Sequence, residues 1–178
     1  RGGLRLISLL VSTNEAACRS SRRRKRSDEE SKVTPPPKAP KICTDSMLLI
    51  NEQLAEAPKL EAFIDKLHGG KGKGWFRIVR SPGAARAMIK QGKLAVVLGI
   101  EVDNLFGCKA GKCDAASVRK DIDAIYAKGV RHVFPIHNFD NAFGGAATWQ
   151  SVINFGQSVV QGRFWKLDNC YGLGYGLR

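Results

Sequence analysis

The chain has 178 residues, of which 43% are hydrophobic and 8% aromatic, so it is long enough to bury a core of its own. It contains no apolar run of the length that a transmembrane helix needs, which excludes such a segment at the level of sequence. The net charge of +13 would favour an anionic partner such as nucleic acid, but the basic residues are unevenly distributed. Five cysteines are few for a disulfide scaffold, and the number is odd.

Residues 1–44 are predicted to be a disordered, basic and proline-rich leader. Segment 22–26 consists of four arginines and one lysine, and segment 35–40 is rich in proline. Little in this composition could drive packing, so a solvated tail or linker is expected. The alternative is a nuclear-localisation or nucleic-acid-binding patch, but no aromatic residue that could stack on bases lies among the basic ones. Nucleic acid is therefore the less favoured partner.

The first residues suggest a signal sequence. Segment 4–11 is apolar and follows Arg1, and small residues that could mark a cleavage site come shortly after it. A remnant of this kind would indicate export to the periplasm or the extracellular space. Because the first residue is not methionine, we expect the chain to be a piece of a longer reading frame.

Residues 45–178 are predicted to form one α/β domain. Ser46 to Leu67 has an apolar helical face, and Pro58 marks a break or the start of a second helix. The Gly/Lys segment 69–74 matches no phosphate-binding fingerprint, so it is expected to be a flexible turn. A strand follows over Trp75 to Val79, and Ser81 with Pro82 provides the N-cap and first position of a short helix.

The segment from Leu94 to Ile100 is a continuous apolar run rich in β-branched residues, which is typical of a strand buried on both faces. Glu101 ends this strand. A carboxylate there is costly unless it meets a metal, a cation or water, and strand ends form the active-site rim of α/β barrels, so Glu101 is a candidate for chemistry. The alternative is a glutamate that leaves the sheet and reaches solvent.

The chain continues with a loop, a helix and another strand. Cys108 and Cys113 in the loop have a spacing that fits a local disulfide better than a metal site. A strand is predicted over 130–136. Pro135 lies close to the end of this strand or at a bulge, and His137 follows the strand directly. His132, inside the strand, is expected to be a packed or partly exposed side chain. The segment 146–160 is predicted to be helical.

This order of strands and helices predicts βα units with a parallel sheet. The carboxyl ends of parallel strands meet at one edge, which is where the active sites of α/β folds lie. Glu101 and His137 are therefore expected at the same edge, and this shared position strengthens the functional interpretation of both.

Three short motifs carry a resemblance to a known family: Gly99-Ile100-Glu101, the turn Gly129-Val130-Arg131, and the strand end Ile136-His137-Asn138. Over residues 42–170 the chain resembles the membrane dipeptidase family of the metal-dependent amidohydrolase superfamily. The resemblance implies a (β/α)8 TIM barrel and a site with two zinc ions. It implies that Glu101 bridges the metals, that His137 binds the substrate, and that the substrate is a dipeptide or a related amide cleaved by a metal-activated water.

The chain departs from this family in its histidines. The family has a His-x-(His/Asp) pair before the glutamate and further histidine ligands after the substrate histidine, but here only His68 precedes Glu101 and none follows His137. A complete barrel needs about 250 residues, so about three or four of its eight βα units are expected in this chain. We therefore expect a partial barrel that is inactive alone, and no catalytic residue is assigned. Its unclosed edges would favour self-association.

Three functions remain open from the sequence: a zinc-dependent hydrolase of the dipeptidase type, a basic nucleic-acid-binding protein, and a non-catalytic barrel fragment that acts as a binding or regulatory module. The first is favoured by the positions of Glu101 and His137. The second depends on the arginine-rich segment 22–26. The third follows from the missing histidine ligands.

Overall fold

A computed structural model of the chain describes residues 3–15, 18, 41–146 and 150–165. The strands and helices in these ranges are, in chain order, β1 (Leu6–Ser12), α1 (Ser46–Leu67), β2 (Phe76–Ile78), α2 (Pro82–Lys90), β3 (Leu94–Glu101), α3 (Ala115–Ala127), β4 (Val130–Phe134) and α4 (Ser151–Gln161). Single 3-10 turns lie at Lys41–Cys43 and Leu105–Gly107. None of the helices described is long and apolar enough to cross a membrane.

Strand β3 is the centre of a four-stranded sheet in which every pairing is parallel. Strand β1 pairs with β3 along its whole length, ending at the pair Ser12 and Glu101. Strands β2 and β4 share the opposite edge of β3: β2 pairs with its first residues and β4 with its last. All strands therefore point their carboxyl ends in one direction.

One face of the sheet is packed against helices. The side chains that face this core alternate along β1 and β3, as the two-residue period of a strand requires. The larger core cluster contains Val11, Leu98, Ile100, Ile50, Leu54, Ala57, Ile125 and Val130, together with the loop residues Val102 and Leu105. A smaller cluster of Ile64, Phe76 and Val96 extends it toward the other end of α1.

Helix α1 is continuous through Pro58, although the sequence suggested a break or a second start there. Asp45 caps its N-terminus by accepting a hydrogen bond from the Leu48 N–H. Leu54 and Ile64, on either side of the proline, are both buried against the same sheet. This shared burial holds the two halves in line and offsets the hydrogen bond that proline removes.

The structure differs from the sequence expectation at the start of the chain. Residues 1–44 were assigned to a leader, but Leu6–Ser12 form strand β1 within the sheet. The physical reason is that β3 is buried and needs a partner on both edges, and the apolar residues of β1 meet that need. A disulfide from Cys18 to Cys43 connects this region to the start of α1. The arginine-rich segment 22–26 lies outside the described residues.

Gly99 is required by a close approach of side chains on the second face of the sheet. A Cβ atom at this position would lie 2.5 Å from Leu10 Cδ2 and 3.2 Å from His132 Cβ. The glycine thus allows the side chains of β1 and β4 to approach each other across β3. His132 is partly exposed, as the sequence suggested, and its Nδ1 also bonds to Ser8 Oγ at 2.7 Å.

The predicted α/β class is confirmed by this arrangement. The sheet is small and open, and β1 is the neighbour of β3 and not of β2. The partial (β/α)8 barrel therefore stays a prediction.

Candidate functional site

The candidate site lies at the carboxyl edge of the sheet, where β1, β3 and β4 end. We call the polar side chains that follow these strands the carboxyl-edge cluster: Thr13, Glu15, Glu101, Asp103, Asn104, His137 and Asn141. The strands bring them to one place because β1 and β4 both pair in parallel with β3 as far as Glu101, with one register shift between β3 and β4 at Leu98 and Gly99.

Glu101 and His137 are in direct contact. His137 Nδ1 lies 2.8 Å from Glu101 Oε1. The contact uses Nδ1 of the imidazole and leaves Nε2 out of it. The side chains are 29% exposed for Glu101 and 21% for His137, so the pair is in contact with solvent. The sequence predicted this shared location; the roles assigned to the two residues stay predictions.

Asp103 is a second carboxylate of the cluster and is fully buried. Removal from water raises the pKa of Asp103 to about 6, while the backbone N–H of Glu15, the charge of His137 and the backbone N–H of Asn138 act in the opposite direction. Its Oδ2 accepts a hydrogen bond from the Glu15 N–H at 3.0 Å. Its Oδ1 has no hydrogen-bond partner among the described residues. Sequence reasoning passed over Asp103, although a polar pair directly after a buried strand was a usable signal.

Asn104 connects three parts of the chain. Its Nδ2 donates to Glu15 Oε2 at 2.6 Å, and its Oδ1 accepts from Gln161 Nε2 at 2.7 Å. The buried amide thus joins the end of β1, the end of β3 and the end of α4. Glu15 was missed because residues 1–44 are predicted to be a leader, and its contacts form only once β1 pairs with β3.

The loop after β4 is held by Asn141, whose side chain is 5% exposed. Its Nδ2 donates to the carbonyl oxygens of Pro135, at 2.6 Å, and Asp103, at 3.1 Å. Its Oδ1 accepts from the Phe143 N–H at 2.8 Å. This one side chain therefore links the residues that follow β3 to the residues that follow β4.

The loop after β3 carries the predicted local disulfide. Cys108 and Cys113 are bonded, with their Cα atoms 4.9 Å apart. The Cys108 carbonyl accepts from the Ala142 N–H, and the neighbouring Lys109 Nζ donates to the Val160 carbonyl. The disulfide thus stabilises a loop that contacts both the His137 loop and α4.

A cavity of about 190 Å³ opens beside the end of β1. It is lined by residues 12–15, Cys18, Cys43, Ser46, Leu49 and Gln53. Gln53 closes one side because its amide makes two hydrogen bonds to the backbone of Ser12. Glu101 and His137 do not line this cavity.

The described residues do not by themselves fit the zinc pair that the resemblance implies. Within these ranges no three His, Cys, Asp or Glu side chains are arranged to hold a metal ion. Zinc is held by at least three protein ligands even in open catalytic sites, and here Glu101 and His137 would be two. Their hydrogen bond also occupies Glu101 Oε1, whereas a carboxylate that bridges two cations uses both of its oxygens. Zinc therefore stays a prediction.

Comparison of the chain with protein families, with curated proteins and with solved structures gives no match. The likeness to the membrane dipeptidase family consequently depends on the sequence motifs around Glu101 and His137 alone. The arginine-rich segment on which nucleic-acid binding would depend lies outside the described residues, so this alternative gains no structural support.

Proposed function

We propose that this chain carries part of the site of a zinc-dependent hydrolase of the membrane dipeptidase type, which cleaves a dipeptide or a related amide bond. The observation that carries the proposal is the contact between Glu101 and His137 at the carboxyl edge of the sheet. Had the two side chains pointed to opposite ends of the sheet, there would be no common site to propose.

The fold that goes with this function is a (β/α)8 barrel, of which the chain would contain three or four units. Parallel pairing and the βα order of the elements from α1 onward support this proposal. The position of β1 beside β3 is not the sequential order of a barrel, so β1 would occupy the place of another strand. The outer edge of β1 pairs with no strand among the described residues, which supports the predicted tendency to self-associate.

Within the proposed site, the two side chains have separate tasks. Glu101 would be a metal ligand, and zinc held there would supply an activated water. His137 faces the substrate and stabilises its carbonyl oxygen as charge develops there. For this, Nε2, which lies outside the contact with Glu101, would donate a hydrogen bond to that oxygen. The Glu101 contact also fixes the orientation of the imidazole ring.

The chain alone is expected to be inactive. It contains three histidines, of which His68 bonds to the Ile64 carbonyl at the end of α1 and His132 bonds to Ser8 on the sheet. Neither joins Glu101 in the described structure. Further ligands would have to come from other residues or from another polypeptide.

The disulfides support the predicted export. Cys18–Cys43 and Cys108–Cys113 are both formed, and such bonds persist in the periplasm or outside the cell. An oxidising compartment is therefore proposed for this protein.

The test begins with zinc binding to the chain freed of metal by a chelator. We expect weak binding that falls at least about tenfold in Glu101→Gln, the size of effect seen when outer-shell partners alone are lost. Glu52→Gln, an exposed glutamate on α1, is the matched control and should bind zinc as the wild type does. Equal affinity in wild type and Glu101→Gln would contradict the assignment of Glu101.

The second step is dipeptide hydrolysis in a longer polypeptide that supplies the missing ligands. Glu101→Ala should abolish turnover together with zinc. His137→Ala should lower kcat by about 10²–10³ while zinc content stays the same, because it removes only an oxyanion donor. Undiminished turnover in either variant would overturn the proposal.

A further inference from the structure

Asn141 uses nearly all of its hydrogen-bonding capacity in a buried position. Both Nδ2 protons are donated, one to the Pro135 carbonyl and one to the Asp103 carbonyl, and Oδ1 accepts from the Phe143 N–H. A side chain with only 5% exposure that is bonded in three directions has one allowed orientation. It therefore acts as a fixed link between the segments it contacts.

These segments carry the two members of the candidate site. Asp103 lies two residues after Glu101, and Pro135 lies two residues before His137. Asn141 thus bonds one backbone carbonyl close to each member of the pair. One amide group therefore links the segment that carries Glu101 to the segment that carries His137.

The backbone hydrogen bonds between β3 and β4 do not extend to the residues that Asn141 links. The ladder between β3 and β4 ends at the pair Glu101 and Phe134. The next residue is Pro135, which has no N–H and cannot continue the ladder. The side chain of Asn141 links the two segments beyond the end of the ladder, by donating to the Pro135 and Asp103 carbonyls just where the chain turns toward His137.

The rest of the loop supports the amide. The Asn141 N–H donates to the Gly144 carbonyl at 2.9 Å, and the Asp140 N–H donates to Gln157 Oε1 at 2.9 Å. These bonds hold the loop on itself and on α4, but neither reaches the residues that follow β3. Only the side chain of Asn141, among those contacts, crosses to Asp103.

We propose that Asn141 is a positioning residue that sets the contact between Glu101 and His137. The catalytic meaning of this inference rests on the proposed function, because the pair matters for hydrolysis only if it belongs to a hydrolase site. The link itself is a property of the structure and has its own test.

The test compares two amide-to-carboxylate changes in the full chain. In Asn141→Asp the shape is kept, but a carboxylate oxygen faces the Asp103 and Pro135 carbonyls in place of a donor. Asn104→Asp is the matched control: Asn104 is also a buried, doubly bonded amide at the same edge, yet it joins Glu15 and Gln161 and not the His137 loop. Asn141→Ala provides a second variant if the aspartate does not fold.

The readout is the rate at which diethyl pyrocarbonate modifies each histidine, measured by peptide mass spectrometry on folded protein. We expect Asn141→Asp or Asn141→Ala to raise the rate at His137 about fivefold or more, the factor that a change of about 1 kcal/mol produces. His132, on the sheet face and bonded to Ser8, is the internal reference and should react at its wild-type rate. In Asn104→Asp the rate at His137 should stay at the wild-type value.

Wild-type reactivity of His137 in both Asn141 variants would overturn the inference. An equal rise at His137 and His132, or an equal rise at His137 in Asn104→Asp, would also overturn it, because the effect would then be general loosening. Failure of zinc binding or hydrolysis would not change this readout, so the positioning role and the proposed function can fail separately.

Discussion

Asp103 makes the stability of the protein depend on pH in a direction opposite to that of most carboxylates. Its side chain is fully buried and Oδ1 lacks a partner among the described residues. Burial raises the pKa of Asp103 from 3.8 to about 6 in the folded chain. The folded protein therefore holds this proton more tightly than the unfolded protein does, so ionisation of Asp103 favours unfolding.

The size of the effect follows from the shift. Between pH 3.8 and about 6 the folded state binds more protons at this site, so the free energy of unfolding falls as the pH rises through this window. A difference of about 2 pH units at 1.36 kcal/mol per unit amounts to about 3 kcal/mol, which is lost in full above about pH 6. That is a large part of the free energy of unfolding of an ordinary domain, which is roughly 5–15 kcal/mol.

Asp103→Asn removes the titration while its amide oxygen can still accept the hydrogen bond from the Glu15 N–H. We expect the variant and the wild type to differ little near pH 4. At pH 7.5 the variant should be more stable by up to about 3 kcal/mol, because it has no charge to bury.

Urea unfolding at a series of pH values from 4 to 8 measures this difference, and subtraction of the two proteins cancels the titration of every other group. Thr13→Val is the control, since it is a neutral replacement of a buried hydroxyl at the same edge whose Oγ1 has no partner among the described residues. Its effect on stability should be the same at every pH. A difference between Asp103→Asn and wild type that is constant with pH, or that shrinks as the pH rises, would refute the reasoning.

Two further predictions concern stability. Asp65 is buried and paired with the guanidinium of Arg77, so Asp65→Ala should lower the free energy of unfolding by about 3–5 kcal/mol in urea. Glu56→Ala, which breaks an ion pair whose two side chains are 68% exposed, should cost less than about 1 kcal/mol, and equal costs would contradict this. Replacing Cys108 and Cys113 together by serine should lower the free energy of unfolding by about 2 kcal/mol. Without the disulfide, the unfolded chain regains the entropy that closure of this short loop removes. An unchanged urea midpoint would contradict that estimate.

Local sequence patterns predicted the elements whose stability is decided nearby. The apolar run that ends at Glu101 is strand β3, as predicted, and Ser81 caps α2 through a hydrogen bond from the Ala84 N–H. The short spacing of Cys108 and Cys113 indicated their disulfide. Each of these features depends on residues within one turn, one strand or one small loop, so periodicity and spacing are sufficient to find them.

Contacts distant in sequence were not predictable in the same way. Strand β1 pairs with β3 across almost ninety residues, as in the hydrogen bond from the Ala95 N–H to the Arg5 carbonyl, and the apolar composition of segment 4–11 does not indicate which strand it pairs with. Pro58 does not interrupt α1, because burial against the sheet outweighs the local preference. Glu15 and Asn141 belong to the carboxyl-edge cluster for similar reasons: each bonds to residues of the loop after β3, which is distant from it in sequence.

By itself, the sequence determined that Glu101 and His137 follow parallel strands and thus lie at one edge, because strand direction follows from the order of strands and helices. Only the tertiary structure decided that the two side chains touch, that Asp103 is buried beside them, and that Asn141 links their backbones. Such distances depend on how separate segments pack, and packing is a property of the whole chain. The sequence therefore indicated where a site could lie, and the packed structure decided which groups meet there.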